Sequence, residues 1–269
     1  MSLTSSPFDL TGRRALVTGG TQGVGAAIAK SIAAAGADVL ILGRDEDENA
    51  IRTRTELREL GVQAELLTAD LSAPPSGYLA NLMETIENTM PGIDLLINNA
   101  GTFIDTPFLE MTYERYRTTI DLNITSGYFL DQAFAKRWIE NGVAGRVLFT
   151  GSINGVLAEP DHTAYDTSKG AVAAMVRSLC VSLAPHQIRV NAMAPGLVRT
   201  PLTDIVNQDT RVESWMKLHT PNGQIPSPDA CGGAAVFLLS DAAEHVHGQT
   251  LLVDGGMSVW QQPDVPETW

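Results

Sequence analysis

Thr18-Gly19-Gly20-Thr21-Gln22-Gly23-Val24-Gly25 is the stretch on which the reading of this chain turns. Just before it, Arg14-Ala15-Leu16-Val17-Thr18-Gly19 reads as a short buried strand. Just after it, Val24, Ile28 and Ile32 fall at i, i+4 and i+8, one packing face of a helix. Glycines at a strand-to-helix turn let the backbone approach a pyrophosphate, and the helix amino terminus offers free N–H groups and a favourable dipole. A glycine-rich string alone says little, since any tight turn wants glycine. Set between a strand and a helix, with the same alternation continuing behind it, it says much more.

That alternation runs through the chain. Strands are expected near Arg14–Thr18, Asp38–Leu42, Gln63–Thr68, Ile93–Asn98, Arg146–Thr150, Ile188–Met193 and Gln249–Val253. Helices are expected near Gly23–Ala35, Asp45–Leu60, Gly77–Thr89, Tyr113–Asn141 (with a break), Ala164–Leu183 and Pro228–Ser240. Right-handed βαβ crossovers follow, and with them an α/β fold: a Rossmann-type, doubly wound parallel sheet of about seven strands with helices on both faces. The 269 residues suit one domain, 1–269. The longest stretch without a clear period, Arg199–Gln224, holds Pro201, Pro221, Asn222 and Gly223. It is expected to be a substrate lid, since loops of that length in compact α/β domains are usually functional.

Composition narrows the classes. Hydrophobic residues make up 44% and mean hydropathy is +0.01, values of a soluble globular protein. No run of about 18 apolar residues is present to span a bilayer. The opening Met-Ser-Leu-Thr-Ser-Ser has neither a basic n-region nor an apolar h-region, so no signal peptide is read. Cys180 and Cys231 each sit in an apolar helical pattern, as buried free thiols do, and a cytoplasmic setting is expected. A formal net charge of -13 argues against nucleic acid and against anionic membrane as partners. Any phosphate the protein binds must therefore be met by local donors. The five histidines are scattered without metal-ligand spacing, and no metal is expected.

Tyr165 and Lys169 stand four apart in Tyr-Asp-Thr-Ser-Lys, with Ser152 upstream. On a helix these two positions share a face, so phenol and ammonium reach one small volume. A free tyrosine, with a pKa near ~10, is a poor proton shuttle at neutral pH. A cation beside it favours the phenolate.

Taken together, these motifs resemble the short-chain dehydrogenase/reductase family in its compact single-domain form. The resemblance covers nearly the whole chain. It rests on Thr18-Gly-x3-Gly23-x-Gly25, Asp70, Asn98-Asn99-Ala100-Gly101, Asn123, Ser152, Tyr165-x3-Lys169, and Asn191-x3-Pro195-Gly196 followed by Thr200. It implies an oxidoreductase that transfers a hydride between NAD(P)(H) and a ketone or secondary alcohol. Tyr165 would be the general acid/base. Lys169 would lower its pKa and bond the nicotinamide ribose. Ser152 would bond the substrate oxygen, and Asn123 would hold a water that links Lys169 to solvent. The resemblance assigns the cofactor to Thr18, Gly19, Thr21, Gln22, Gly23, Val24 and Gly25, and to Arg44, Asp70 and Leu71. It adds Asn99, Ala100 and Gly101, Tyr165 and Lys169, and Pro195, Gly196, Val198 and Thr200. Asn98 reads as structural, because buried polar groups need partners.

Three positions depart from the family's pattern. Gly151 stands where many members carry a second serine, and Thr167 where alanine is usual. Gly43 closes the second strand, where NAD-preferring members place an acid for the ribose 2′-hydroxyl. With no carboxylate at Gly43 and Arg44 beside it, a 2′-phosphate could be paired, so NADP(H) is favoured. The run Asp45 to Glu48 and the uncharged Gln22 weigh the other way, and NAD(H) stays open.

The substrate is less legible. Asn154, Glu159 and His162, in the loop between Ser152 and Tyr165, would favour a sugar or polyol if they face inward. An apolar ketone or a 3-oxoacyl thioester, as in acyl-carrier-protein reduction, is the alternative. The lid contributes Leu202, Val206, Trp215, Met216 and Leu218, with Asp204 and Arg211 among them. A nucleotide-sensing or scaffold protein on the same fold is the non-enzyme reading, but such a protein has no need of a complete proton relay. Helix Ala171–Leu183 is small and apolar on nearly every side, so a homo-oligomer, a tetramer, is expected, packed there and through Asp254–Trp260.

Overall fold

Leu16 sets the pattern of the core: it pairs in register with Leu40 on one side and Leu96 on the other, and all three are wholly buried. Its neighbours Ala15 and Val17 point to the opposite layer, as the period of two in a strand requires. The computed structural model describes residues 6–203 and 209–260. It contains a seven-stranded, all-parallel sheet in the order β3-β2-β1-β4-β5-β6-β7. The strands are β1 (Arg14–Thr18), β2 (Asp38–Gly43), β3 (Ala64–Thr68), β4 (Leu95–Asn98), β5 (Arg146–Thr150), β6 (Arg189–Pro195) and β7 (Thr250–Val253). β1 and β4 are adjacent, so the order reverses between them. A parallel sheet opens a crevice beyond its carboxyl ends at such a point.

Two apolar layers flank the sheet. On one side, α1 (Gly23–Ala34), α2 (Glu48–Glu59) and the last helix α8 (Gly232–Leu239) bury Ile28, Ile32, Leu57 and Leu239 against Val17, Val39 and Ile97. On the other, α3 (Pro75–Thr89), α5 (Ser126–Asn141) and α6 (Thr163–Leu183) bury Ile86, Phe134, Trp138 and Val176 against Leu16, Leu40 and Phe149. Each fully buried Leu or Ile contributes about 1.5–3 kcal/mol. α2 starts later than the sequence suggests. Asp47 stays extended as its N-cap, accepting from the Ala50 N–H at 2.8 Å, and so excludes Asp45 and Glu46.

The expected break in Tyr113–Asn141 takes a specific form. α4 (Tyr113–Ile120) runs into a π-helical turn, Asp121–Thr125, and then into α5. Asn123 sits in that turn, buried. The extra residue pushes its amide off the apolar face.

Segment 199–224 holds more structure than a loop. Pro201–Thr203 forms a 3-10 turn and Thr210–Leu218 forms α7, capped by the Asp209 carboxylate on the Arg211 N–H at 2.9 Å. Asp204 and Val206 lie outside the described residues. Among the described residues no helix is long and apolar enough to cross a membrane.

Asn98 at the end of β4 is buried and donates to Asp131 Oδ1 of α5 at 2.7 Å, a structural pairing. Burial drives the Asp131 carboxyl well above its usual range. A raised folded-state pKa favours the fold fully only below the unfolded value, about 4, and that favour is withdrawn as pH rises toward the folded value. Asp131→Asn should therefore gain on the wild type as pH rises from about 4 through neutrality. Urea midpoints across that range are the check. An offset that does not change with pH would count against a titrating Asp131.

Candidate active site

Thr18 ties the ends of β1 and β4 together. Its hydroxyl donates to the Ile97 carbonyl at 3.2 Å and accepts the Asn99 and Ala100 N–H groups, both at 3.0 Å. Asn99 Nδ2 then reaches across to the Gly19 carbonyl at 3.0 Å. This lacing leaves Gly25 against the Gly19 carbonyl oxygen and the Asn99 amide, where a methyl group would overlap both. Gly19 itself takes φ +61, a left-handed conformation that suits glycine.

Beyond this turn lies a cleft of about 680 Å³, over the carboxyl ends of the strands. Every residue that the sequence assigns to the cofactor lines it, with the exception of Thr18, which braces the cleft from behind. The first turn of α1 opens into it with no side-chain cap, so its N–H groups are available to an anion. These features fit a dinucleotide pyrophosphate. At the end of the cleft away from Tyr165, Asp70 accepts from the Ser72 N–H at 2.9 Å and the Ser72 hydroxyl at 2.6 Å, bonds that hold its carboxyl below the usual range. Arg44 Nε donates to Asp45 Oδ2 at 2.8 Å in an exposed pair. Gly43 is crowded, since a Cβ there would meet Thr21 Cγ2 at 2.7 Å.

At the other end the cleft is lined by Ser152, Tyr165 and Lys169, from the loop after β5 and from α6. Lys169 is buried, donates to the Thr150 carbonyl at 3.0 Å, and stands 5.5 Å from the centre of the Tyr165 ring. Burial pulls its pKa down to about 8. The Tyr165 phenol is lifted, first by burial, while its hydrogen bond with Ser152 pulls the other way and Asp166 and Glu159 lift it further. The sequence leads one to expect Lys169 to bring the phenol down. Burial sets the direction of the shift instead. Asn123 commits both amide hydrogens, to the Thr102 carbonyl at 3.0 Å and Ser168 Oγ at 2.9 Å, and accepts the Thr102 N–H at 2.7 Å. Ser168 Oγ in turn donates to the Tyr165 carbonyl at 2.7 Å, so the π-turn is pinned to the helix that carries Tyr165 and Lys169.

The residues read as substrate candidates fall in different places. Asn154 is buried behind Ser152, its amide held by Glu159 and Asp166. His162 stands near Glu159, 3.7 Å from Oε1, and near Asp105, 3.9 Å from Oδ1. The Phe103 ring meets His162 edge-on at 4.6 Å and Tyr165 at 5.2 Å, bridging the two. Trp215, on α7, is half exposed and stacks on His219 at 4.0 Å; it does not line the cleft. Thr102, Thr118 and Leu122 line the cleft and Phe103 stands beside Tyr165, none of them singled out from the sequence. No short motif marks Thr118 and Leu122, which the packing of α4 and the π-turn brings in, while Thr102 and Phe103 lie in the loop that follows Asn98-Asn99-Ala100-Gly101. Asp166 did carry a signal, its place inside the Tyr-x-x-x-Lys run.

Known proteins resemble this chain in sequence and fold. A family model described as enoyl-(acyl carrier protein) reductase matches residues 19–258. The 5-keto-D-gluconate 5-reductase of Escherichia coli is 34% identical over 254 residues, which cover 94% of this chain and 98% of that protein. A solved gluconate 5-dehydrogenase from Burkholderia cenocepacia, in complex with NADP and tartrate, has a TM-score of 0.88 at 32% identity, covering 95% of this chain and 98% of that one. A solved 3-oxoacyl (acyl-carrier-protein) reductase from Agrobacterium tumefaciens, with NADP bound, has a TM-score of 0.85 at 31% identity, over 92% of this chain and 95% of that one. On these matches the chain belongs to the short-chain dehydrogenase/reductase family and is an NAD(P)-dependent oxidoreductase of alcohol and carbonyl groups.

Proposed function

We propose that this enzyme interconverts a carbonyl and a secondary alcohol on a sugar or polyol, prefers NADP(H) to NAD(H), and uses Tyr165 as its general acid/base. One observation carries the reading: a single cleft has an uncapped helix amino terminus at one end and Ser152, Tyr165 and Lys169 at the other. A nicotinamide dinucleotide, when bound there, supplies or takes up the hydride. The chain's residues handle the proton. In the reducing direction the Tyr165 hydroxyl gives its proton to the substrate oxygen while the Ser152 hydroxyl hydrogen-bonds the same oxygen. Lys169 holds positive charge beside the phenol, and Asn123 fixes the helix that carries both. Phe103 packs on Tyr165, and Asp105, Glu159 and His162 gather beyond it; polar groups so near the reacting end support a hydroxylated substrate over an acyl chain. The thioester alternative is kept because one solved relative bears that name. A panel of keto-sugars, polyols and 3-oxoacyl thioesters, read by nicotinamide absorbance with each cofactor, separates the two. Turnover of thioesters alone would overturn the sugar reading.

The cofactor preference rests on Arg44 and Gly43. The Arg44–Asp45 pair is exposed, so solvent screens it and it yields readily to a stronger partner. A charge-assisted contact with a 2′-phosphate contributes about 1.5–3 kcal/mol, roughly ten- to a hundredfold in affinity. A side chain at Gly43 would require Thr21 to shift, and with glycine there no carboxylate meets the ribose 2′-position. Arg44→Ala should weaken NADP(H) by about tenfold and leave NAD(H) nearly untouched, as read by calorimetry. Tighter binding of NAD(H) by the wild type would reverse the assignment.

A homo-oligomer, read as a tetramer, is part of the same proposal. Val181 on α6, Tyr128, Phe129 and Ile139 on α5, and Val259 in the tail are all exposed apolar side chains. Light scattering at micromolar protein should give a mass above the monomer; a monomeric mass would sink it.

A further inference from the structure

We propose that Asp166 is a positioning residue that orients the Ser152 hydroxyl through the side-chain amide of Asn154. The proposal rests on the reading of Ser152 and Tyr165 as the reacting pair. Asn154 is 7% exposed, and its Nδ2 donates to Asp166 Oδ1 at 2.8 Å and to Glu159 Oε1 at 3.2 Å. With both hydrogens given to carboxylates, the amide cannot be turned over without setting its oxygen against two anions. Oδ1 is thereby directed at Ser152, whose Oγ donates to it at 3.4 Å. The Asn154 backbone N–H donates into the same Oγ at 3.1 Å. One lone pair of the serine is thus occupied from behind, and its hydrogen rests on a long, weak acceptor that a substrate oxygen can displace.

The carboxylate of Asp166 is itself held from two sides. Oδ1 takes the amide, and Oδ2 accepts the Glu159 backbone N–H at 3.1 Å. An asparagine at 166 could serve only one of these donors, since its own NH2 would face the other. Asp166 follows Tyr165 on α6, so one turn of helix presents the phenol to the cleft and sends a carboxylate to the loop that carries the serine. The groups facing the phenol are then Ser152, Lys169, Asp166 and Glu159, with His162 and Asp105 beyond Phe103.

The test is a double-mutant cycle on the enzyme with the substrate that the sugar and polyol panel yields. Asp166→Ala should lower kcat by about ten- to a hundredfold, since small misplacements of a reacting group cost that much. KM and cofactor affinity should stay within about twofold, and Asp166→Asn should fall in between. In a Ser152→Ala background, Asp166→Ala should cost less than about twofold, because the group it acts on is gone. Crystal structures of Asp166→Ala and the wild type give a second readout, in which Ser152 should leave its single rotamer. An equal loss in both backgrounds, a loss of cofactor affinity in step with kcat, or an unmoved Ser152 would overturn the proposal. A Ser152→Ala enzyme that turns over at the wild-type rate would instead sink the reading of the reacting pair, and the proposal with it.

Discussion

Tyr165→Phe should abolish turnover and leave NADP(H) affinity nearly unchanged. The substitution removes the one group that gives or takes the substrate's proton and keeps the ring that packs edge-on to Phe103 at 5.2 Å. General acid/base catalysis is worth about 100-fold or more, so kcat should fall by at least that factor. The wild-type pH profile should agree. Burial raises the phenol's pKa, so alcohol oxidation, which needs the phenolate, should quicken as pH rises toward that value, and ketone reduction, which needs the phenol, should slow. Steady-state kinetics with calorimetry of the cofactor complex reads both halves. A Phe variant that keeps more than about a tenth of the wild-type rate would remove Tyr165 from the proposed mechanism.

The second large effect is expected at Gly25. A methyl there overlaps the Gly19 carbonyl oxygen and the Asn99 amide, so either α1 moves off β1 or the Thr18–Asn99 lacing opens. Both responses displace the N–H groups that face the cleft. Gly25→Ala should weaken cofactor binding by about a hundredfold or more, as misplaced donors do, and overpacking should cost about 1–3 kcal/mol of stability. The control is Gly233→Ala on α8, where an added Cβ meets nothing within 4 Å. That change should be neutral or slightly stabilising, by up to about 1 kcal/mol. Melting curves with and without NADP(H) compare the two. A Gly25→Ala protein whose cofactor response matches that of Gly233→Ala would refute the close-packing argument.

The sheet and the cleft could be read from the chain because both rest on local signals. Strands buried on both faces are short apolar runs, and β1 and β5 begin and end where those runs do. β6 runs two residues past the expected Met193, to Pro195, which still pairs with Val253, since a proline can close a strand. α7 was missed although its signals are present, Asp209 as a cap and Glu213 to Lys217 at 3.0 Å across one turn. The flanking prolines outweighed them. The bond between Asn154 and Asp166 could not be foreseen. Twelve residues separate them, no period connects them, and each looks like an ordinary polar residue until the loop folds onto α6.

The π-turn at Asp121–Thr125 bears on how such a chain can vary by inheritance. α4 and α5 form one rod interrupted by a single surplus residue, and that surplus aims Asn123 at Thr102 and Ser168. A point substitution within the turn alters one side chain. An insertion or deletion there rephases the whole of one helix against the other by about 100°, the angle between neighbouring residues at 3.6 per turn. Losing the extra residue would restore unbroken helical bonding and take Asn123 away from the helix that carries Tyr165. A change of length in this short interval therefore reaches further through the protein than a change of one side chain.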